Sequence, residues 1–377
     1  MRDRRRTGFF RVVDKIALGV EIGLFADDLD GVLVGAHGAV RTQSVEYAAV
    51  HALAGIVAEI GVNHNGDLAL ARKMIDAARE AGADAVKFQT WITHENTSIF
   101  AQKSRHQKLS EDDQSSQFDF LKRLELDEVD HRALQAHARS RGILFFSRPA
   151  SPGGVQILKA LDVPLIKVGS PDVTNHPLLE LLGEMKKPVI LSTGMSNLGE
   201  IERTLDVLSR AGCNQVLLVH CTTDYPTKME DVNLRAIETL KVVFGLPVGY
   251  SDHTPGTEVA VAAVAMGSVY IEKHFTTDRN LPGPDHHASL EPDEFAMLVR
   301  QIRNIETALG SGVKRASPAE LETMEKLRRS LTVLRDVRTG EVITREMLGV
   351  KRPGTGISPE WLPVVVGRFA RRDLVAD

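Results

Sequence analysis

Four absences narrow the reading at once. With only two cysteines, Cys213 and Cys221, in 377 residues, the chain cannot be held by a disulfide framework, and a reducing cytoplasm is the expected compartment. No apolar run of roughly 18 residues occurs, so no membrane-spanning helix is expected. The arginines Arg2, Arg4, Arg5 and Arg6 resemble the start of a signal peptide, but Asp14, Lys15 and Glu21 interrupt the apolar stretch that should follow. The fingerprint GxGxxG is missing, which removes the usual first turn of a doubly wound dinucleotide-binding sheet. The formal charge of −4 gives no global reason for a nucleic-acid or membrane partner. Any anion site has to be built locally.

What is present is a rhythm. From residue 56 onward, short apolar runs end in polar residues, and a helical pattern follows each. The runs are Ile56–Gly61, Ala85–Thr90, Ile143–Pro149, Leu165–Ser170, Pro188–Gly194, Val216–Thr222, Pro247–Thr254 and Ser268–Thr276. Continuous apolar runs of this length suit parallel strands covered on both faces. Leu68–Ala81, Gly199–Ala211, Val232–Phe244 and Pro292–Leu309 carry apolar residues at helical spacing. Gly82, Gly142 and Gly212 stand where helices should stop. The fold class predicted is α/β, a (β/α)8 TIM barrel over 56–310, followed by a small β-rich domain. Residues 311–329 read as a linker whose charge run, 314–329, is a solvated helix face. Residues 330–377 carry short β-like runs and a Thr339–Gly340 turn. Residues 91–126 are polar and long for a connection, which predicts a loop overhanging the barrel mouth. Residues 1–55 match none of this. Asp28-Leu29-Asp30-Gly31 resembles a phosphatase nucleophile motif, but no phosphatase domain fits before residue 56, so an appendage is the reading taken.

In such barrels the chemistry sits at the C-terminal ends of the strands. There the sequence offers Glu59, Asn63 and His64; Lys87 and Gln89; Ser147 and Arg148; Lys167, Ser170 and Asp172; Ser192 and Thr193; His220, Thr222 and Tyr225; Ser251, Asp252 and His253; Glu272, Lys273 and His274. Lysine is rarely buried without a partner, so Lys87 and Lys167 inside apolar strands predict a phosphate or carboxylate ligand. His253 and His274 end neighbouring strands. Either each bonds a loop, or the two share a divalent metal with oxygen ligands completing the shell; beside Asp252 and Glu272 the metal is favoured. Cys221 and Cys213 read as buried, inert thiols. His286 and His287 are open between supporting Asp285 and merely belonging to its loop.

Nine motifs then fall in order: AEIGVNHNG (58–66), VKFQT (86–90), KVGS (167–170), LSTGM (191–195), HCTTDYPT (220–227), YSDHT (250–254), EKHFT (272–276), PGPDH (282–286) and VKRPGTGIS (350–358). Together they resemble the bacterial sialic acid synthase family, phosphoenolpyruvate-dependent enzymes with a C-terminal antifreeze-like (SAF) lid domain. The resemblance implies that Lys87, Lys167, Ser170 and Ser251 hold phosphoenolpyruvate. It implies that His253 and His274 bind a metal, Mn2+ first and Mg2+ or Co2+ as alternatives. Glu59, Gln89, Tyr225 and Asp285 would orient an N-acetylated amino sugar such as N-acetylmannosamine. Arg352 would reach the N-acetyl group in the partner subunit of a domain-swapped homodimer. Three departures stand out. Asp172 occupies a position where the family has a glutamate that would place the attacking water. Arg148 and Ala150 interrupt the family's Ser-Thr-Pro-Phe. Thr223 replaces an asparagine or serine, its hydroxyl standing in as a substrate contact. The chain ends at RRDLVAD, short of a further strand in the family's lid, so a truncated lid is expected. Two rival readings remain: a related nonulosonic acid synthase (legionaminic acid, or a phosphorylated sugar), and a non-catalytic sugar-binding barrel.

Overall fold

The computed structural model describes residues 54–103 and 116–377. The Asp28–Gly31 motif lies outside those residues, as does the middle of the long connection after the second strand. Eight parallel strands close in sequence order: β1 (Gly55–Gly61), β2 (Ala85–Thr90), β3 (Leu144–Pro149), β4 (Ile166–Val168), β5 (Val189–Ser192), β6 (Val216–His220), β7 (Val248–Asp252) and β8 (Tyr270–His274), with β8 pairing back onto β1. The helices around them are α1 (Leu68–Glu80), α2 (Gln117–Leu124), α3 (Glu128–Arg141), α4 (Pro152–Ala160), α5 (His176–Glu184), α6 (Leu198–Arg210), α7 (Ala236–Phe244), α8 (Glu258–Ala265) and α9 (Pro292–Leu309). No helix among the described residues is long and apolar enough to cross a membrane.

Local chemistry explains the boundaries. Asp67 starts α1 by accepting hydrogen bonds from the amides of Ala69 and Leu70, and the helix buries Ala71, Met74, Ile75 and Ala78 against the sheet. Asn197 and Glu200 close a reciprocal capping box on α6. Gly142 ends α3 at φ +68°, in the left-handed region that glycine adopts without cost. β4 is shorter than the apolar run predicted, because Ser170-Pro171-Asp172 turns into a 3-10 helix. Helix α7 begins at Ala236 rather than Val232, since a 3-10 turn (Met229–Asp231) and Asn233 at φ +48° precede it. The connection predicted as loop over 91–126 contains α2. Ser116 caps it, and Phe120 and Leu124 pack with Val62, Trp91 and Ala150. Its apolar pattern is too short to stand out in the sequence.

Alternation along the strands divides the core in two. One set, including Ile56, Ala58, Val86, Tyr250 and Ile271, packs under the helices. The other, Val57, Ala85, Phe146, Leu165, Ile190, Leu217, Val219 and Tyr270, fills the barrel interior. The interior is therefore a packed plug. Continuing the same alternation toward the strand ends predicts what faces the mouth: Glu59, Lys87, Arg148, Lys167, Ser251, Glu272 and His274.

Residues Ser311–Asp377 form a unit of their own. It holds α10 (Pro318–Leu327), with no buried residue, and an antiparallel pair, β9 (Ser330–Val333) with β10 (Leu348–Lys351). Val337, Ile343, Leu348 and Ala370 form its small core, and single bridges join Val337 to Leu374 and Val342 to Phe369.

Candidate active site

The buried centre is a carboxylate with every lone-pair position engaged. Glu272 Oε1 faces the Lys87 ammonium at 3.3 Å and accepts from the Ser251 hydroxyl at 3.1 Å. Its Oε2 accepts from Lys167 at 2.9 Å and from the Tyr270 hydroxyl. Lys87 also meets Glu59 Oε1 at 3.0 Å, and Gln89 donates to that same oxygen at 3.1 Å. Glu59 Oε2 is buried without a partner. These groups come from β1, β2, β4, β7 and β8, so the closed barrel alone brings them together.

Burial and charge set their protonation. Burial, reinforced by Glu272 and opposed by Lys87, raises the Glu59 carboxyl to about 7. Burial also acts to raise Glu272, but Lys167 and Lys87 together hold it well below the usual carboxylate range. Lys167 is lowered, because burial outweighs its one carboxylate. Burial opposes the charge on Lys87 as well, yet two carboxylates raise it. At neutral pH Glu59 is the group poised between states.

Above this layer sit three aromatic rings. His253 and His274 have ring centroids 5.5 Å apart, and Tyr225 lies 4.2 Å from the first and 5.6 Å from the second. His253 Nδ1 bonds the Thr222 carbonyl at 2.7 Å, which fixes the ring and leaves Nε2 for a ligand. His274 Nδ1 is buried without a hydrogen-bond partner, 3.7 Å from Asp285 Oδ2. Burial lowers His253 to about 4, and His274 falls well below its ordinary value through burial and the neighbouring His253. Burial raises Asp285 to about 6. Two neutral imidazoles beside an oxygen donor suit a first-row divalent ion. No cluster of three His, Cys, Asp or Glu at ligand spacing occurs among the described residues, so water and substrate oxygens would complete the shell.

A third group lies around Gly194. A side chain there would meet Thr223 Oγ1 at 2.4 Å, Ser170 Oγ at 2.8 Å and Cys221 Sγ at 3.0 Å. Only glycine lets the three converge. Ser170 accepts from the Gly194 amide at 3.1 Å and touches Cys221 at 3.2 Å, whereas Thr223 Oγ1 is buried without a partner. Cys221 is buried, as read from the sequence, but it lines this site as well as packing. Asp172 pairs with Arg148 at 2.6 Å.

Several strand-end residues face elsewhere. Lys273 binds Asp252 at 2.7 Å on the outer side of the sheet, and Asp252 accepts from the amide and hydroxyl of Thr254. His220 bonds the Val232 carbonyl, Thr193 the Val219 carbonyl, and Ser147 belongs to a chain with Thr90 and His131. Asn63 donates to the Phe275 carbonyl and to Ser289 Oγ, and Ser289 donates to the Asp285 carbonyl. His286 bonds Thr276 and Asn65. The Asn63–Gly66 turn thus clamps the loop that carries Asp285, and of the two histidines whose role stood open, His286 supports that loop while His287 is exposed. Arg352 is exposed in the second unit, directly after β10. Glu272 emerges as the hub although the resemblance gave it no role. Its signal is parity: it stands two residues before His274 and so shares its face.

Fold and site define a TIM barrel whose mouth gathers buried lysines, carboxylates and two imidazoles at the C-terminal ends of its strands. The chain belongs to the NeuB family of sialic-acid-type synthases: the NeuB family model matches residues 74–314, and an SAF domain model matches 328–377. It is 44% identical over 324 residues to N,N'-diacetyllegionaminic acid synthase of Campylobacter jejuni, covering 85% of this chain and 97% of that protein. It is 46% identical over 325 residues to the enzyme of the same name from Legionella pneumophila, covering 85% and 91%. Among solved structures, an N-acetylneuraminic acid synthetase from Leptospira borgpetersenii matches with a TM-score of 0.65 and 35% identity, over 73% of this chain and 91% of that one.

Proposed function

We propose that the chain condenses phosphoenolpyruvate with the open-chain form of an N-acetylated amino sugar and water, giving a nonulosonic acid and phosphate. One observation carries this reading: Lys87, Lys167 and Ser251 converge on Glu272 directly beneath two neutral imidazoles. In this reading the two ammonium groups and the hydroxyl offer donors to a dianion next to a place where a carbonyl oxygen can be polarised. Lys87, Lys167, Ser170 and Ser251 bind the phosphate and carboxylate. Glu59, Gln89, Tyr225 and Asp285 orient the sugar, Thr223 adding a hydroxyl contact. His253 and His274, with Asp285 beside them, would hold a divalent ion, Mn2+ in this reading, whose chemistry is to polarise the aldehyde. The enol carbon of phosphoenolpyruvate forms a C–C bond to the aldehyde carbon, whose oxygen gains a proton. Water adds at C2, and the C2–O bond to phosphate breaks to leave the keto acid.

The sugar is the finer question. N-acetylmannosamine is the acceptor expected from the resemblance. The two relatives at 44% and 46% identity make a diacetylated product by name, and phosphoenolpyruvate contributes no acetamido group, so both must come from the acceptor. That favours a diacetamido sugar. The proposed assembly is a homodimer in which Arg352 of one chain reaches the sugar bound at its partner.

The test is incubation with phosphoenolpyruvate, Mn2+ and a panel of mono- and diacetamido sugars, with phosphate release and product mass as readouts. Release with at least one sugar, lost with excess chelator, is expected. No release with any sugar would favour a binding protein, and undiminished turnover with chelator would remove the metal. Arg352→Ala should raise the sugar KM with little change in kcat.

A further inference from the structure

Two departures from the family pattern, Arg148 and Asp172, meet each other. Arg148 faces the barrel interior from β3, in register with Gln89 and one step above Phe146 of the apolar plug. Through Nη2 it donates to Asp172 Oδ2 at 2.6 Å, while the other Asp172 oxygen accepts from Asn175 Nδ2 at 3.3 Å. The seat is shaped for it: a side chain at Gly169, the residue following β4, would stand 2.2 Å from Arg148 Nε. That Nε is buried with no hydrogen-bond partner. The guanidinium is also near enough to oppose the charge on Lys87. Lys87 and Lys167 are already engaged by Glu59 and Glu272, whereas Arg148 has a single carboxylate on one nitrogen and its side chain is 19% exposed.

We propose that Arg148 is a third cation of the phosphoenolpyruvate pocket, contacting its carboxylate or phosphate oxygens, and that Asp172 positions Arg148. This rests on the reading of the site given above. A guanidinium offers several donors in one plane and suits an oxyanion better than a point charge does. Asp172, held between Arg148 and Asn175, fixes the plane in advance, so the anion meets an ordered fork. The carboxylate to which the resemblance would assign the attacking water is then engaged, in this chain, by Arg148.

The experiment is calorimetric titration of the full-length chain with phosphoenolpyruvate, inorganic phosphate and pyruvate, using wild type, Arg148→Gln, Arg148→Lys, Asp172→Asn and the Arg148→Gln/Asp172→Asn pair. Losing a hydrogen bond to a charged group predicts a Kd for phosphoenolpyruvate weaker by about 10- to 100-fold in Arg148→Gln. Lysine should restore part of that loss. Asp172→Asn should weaken binding by several-fold, and the double variant should bind no worse than Arg148→Gln, because the carboxylate acts through the arginine. Inorganic phosphate and pyruvate separate the two ends of the ligand: weakening with either one supports the proposal and assigns the end. Thermal melting accompanies each titration, and a structural role would lower the Tm without changing the Kd of folded protein. Wild-type affinity retained within about twofold in Arg148→Gln, or additive losses in the double variant, would overturn the proposal. A wild-type chain that fails to bind phosphoenolpyruvate at all would instead defeat the function proposed above.

Discussion

Strand β8 carries two adjacent ionic residues with opposite fates. Glu272 points into the barrel and Lys273 points out, yet both are almost wholly buried and both pair with an opposite charge. The outer pair is closed. Asp252 takes Lys273 on one oxygen and Thr254 on the other, and Lys273 also donates to the Thr254 carbonyl. The inner set is crowded and incomplete. Two lysines share one carboxylate, a second carboxylate is pushed up to about 7, and a buried Glu59 oxygen lacks a partner. Full satisfaction suits a fixed structural element, whereas incomplete satisfaction leaves room for a ligand to supply what is missing.

That contrast is best broken at the inner hub. Glu272→Gln leaves Lys87 and Lys167 without their shared counter-charge and turns one of the two oxygens, which accept separately from Ser251 and Tyr270, into a donor. Turnover of phosphoenolpyruvate is expected to fall by at least about 1,000-fold, with phosphate release as the measure. Retention of even a tenth of the wild-type rate would mean that the inner network is as structural as the outer one.

The matching change outside the barrel is Asp252→Ala. It strands the Lys273 ammonium in the sheet, and removing one partner of a buried pair costs about 3–5 kcal/mol. Denaturant unfolding should show that loss, while KM values of the remaining folded enzyme stay near wild type. A large change in KM with unchanged stability would reverse the assignment of the two faces.

The same parity marks the limit of the sequence. Eight apolar runs, their order and the polar residues at their ends were legible, because parallel strands buried on both faces must be apolar and barrel chemistry collects at one end. What was not legible is the side each end residue takes. Asp252, Lys273, His220 and Thr193 share the strand ends with Glu272 and His274, and a one-residue error in a strand's start exchanges the two faces. The Arg148–Asp172 pair joins positions that the sequence holds 24 residues apart, so the two departures looked independent. Helix α2 was hidden because its burial depends on Trp91 and Ala150, which only the closed barrel brings near.

A subtler contrast comes from pH. Glu59 has its carboxyl raised from an ordinary 4.5 to about 7. The folded chain therefore holds this proton more tightly than the unfolded chain between those values. The resulting stability is fully present below about 4.5 and is lost as pH rises through about 7. Glu59→Gln removes this dependence, so the difference in Tm between wild type and variant should grow in the variant's favour from pH 5 to pH 8. In catalysis the ionised form accepts hydrogen bonds from the sugar, so kcat/KM should drop below about pH 7 in wild type. A pH profile with no acid limb near 7 would place the Glu59 titration elsewhere.

The smallest effect expected lies outside both ionic sets, in the turn after β1. Asn63 makes its side-chain hydrogen bonds to neither of them. It holds the Phe275 carbonyl and Ser289, and Ser289 in turn holds the backbone of Asp285. Asn63→Ala removes two buried hydrogen bonds, so a stability loss of about 1–3 kcal/mol is expected. The kinetic signature separates positioning from packing. If the turn serves to place Asp285 against the sugar, the sugar KM should rise by about tenfold while the phosphoenolpyruvate KM holds, since the Asn63 side chain makes its hydrogen bonds to Phe275 and Ser289 and not to Lys87, Lys167 or Ser251. Equal increases in both constants would show a general loosening of the mouth, and the Asn63–Gly66 turn would then be a structural brace like the Asp252–Lys273 pair.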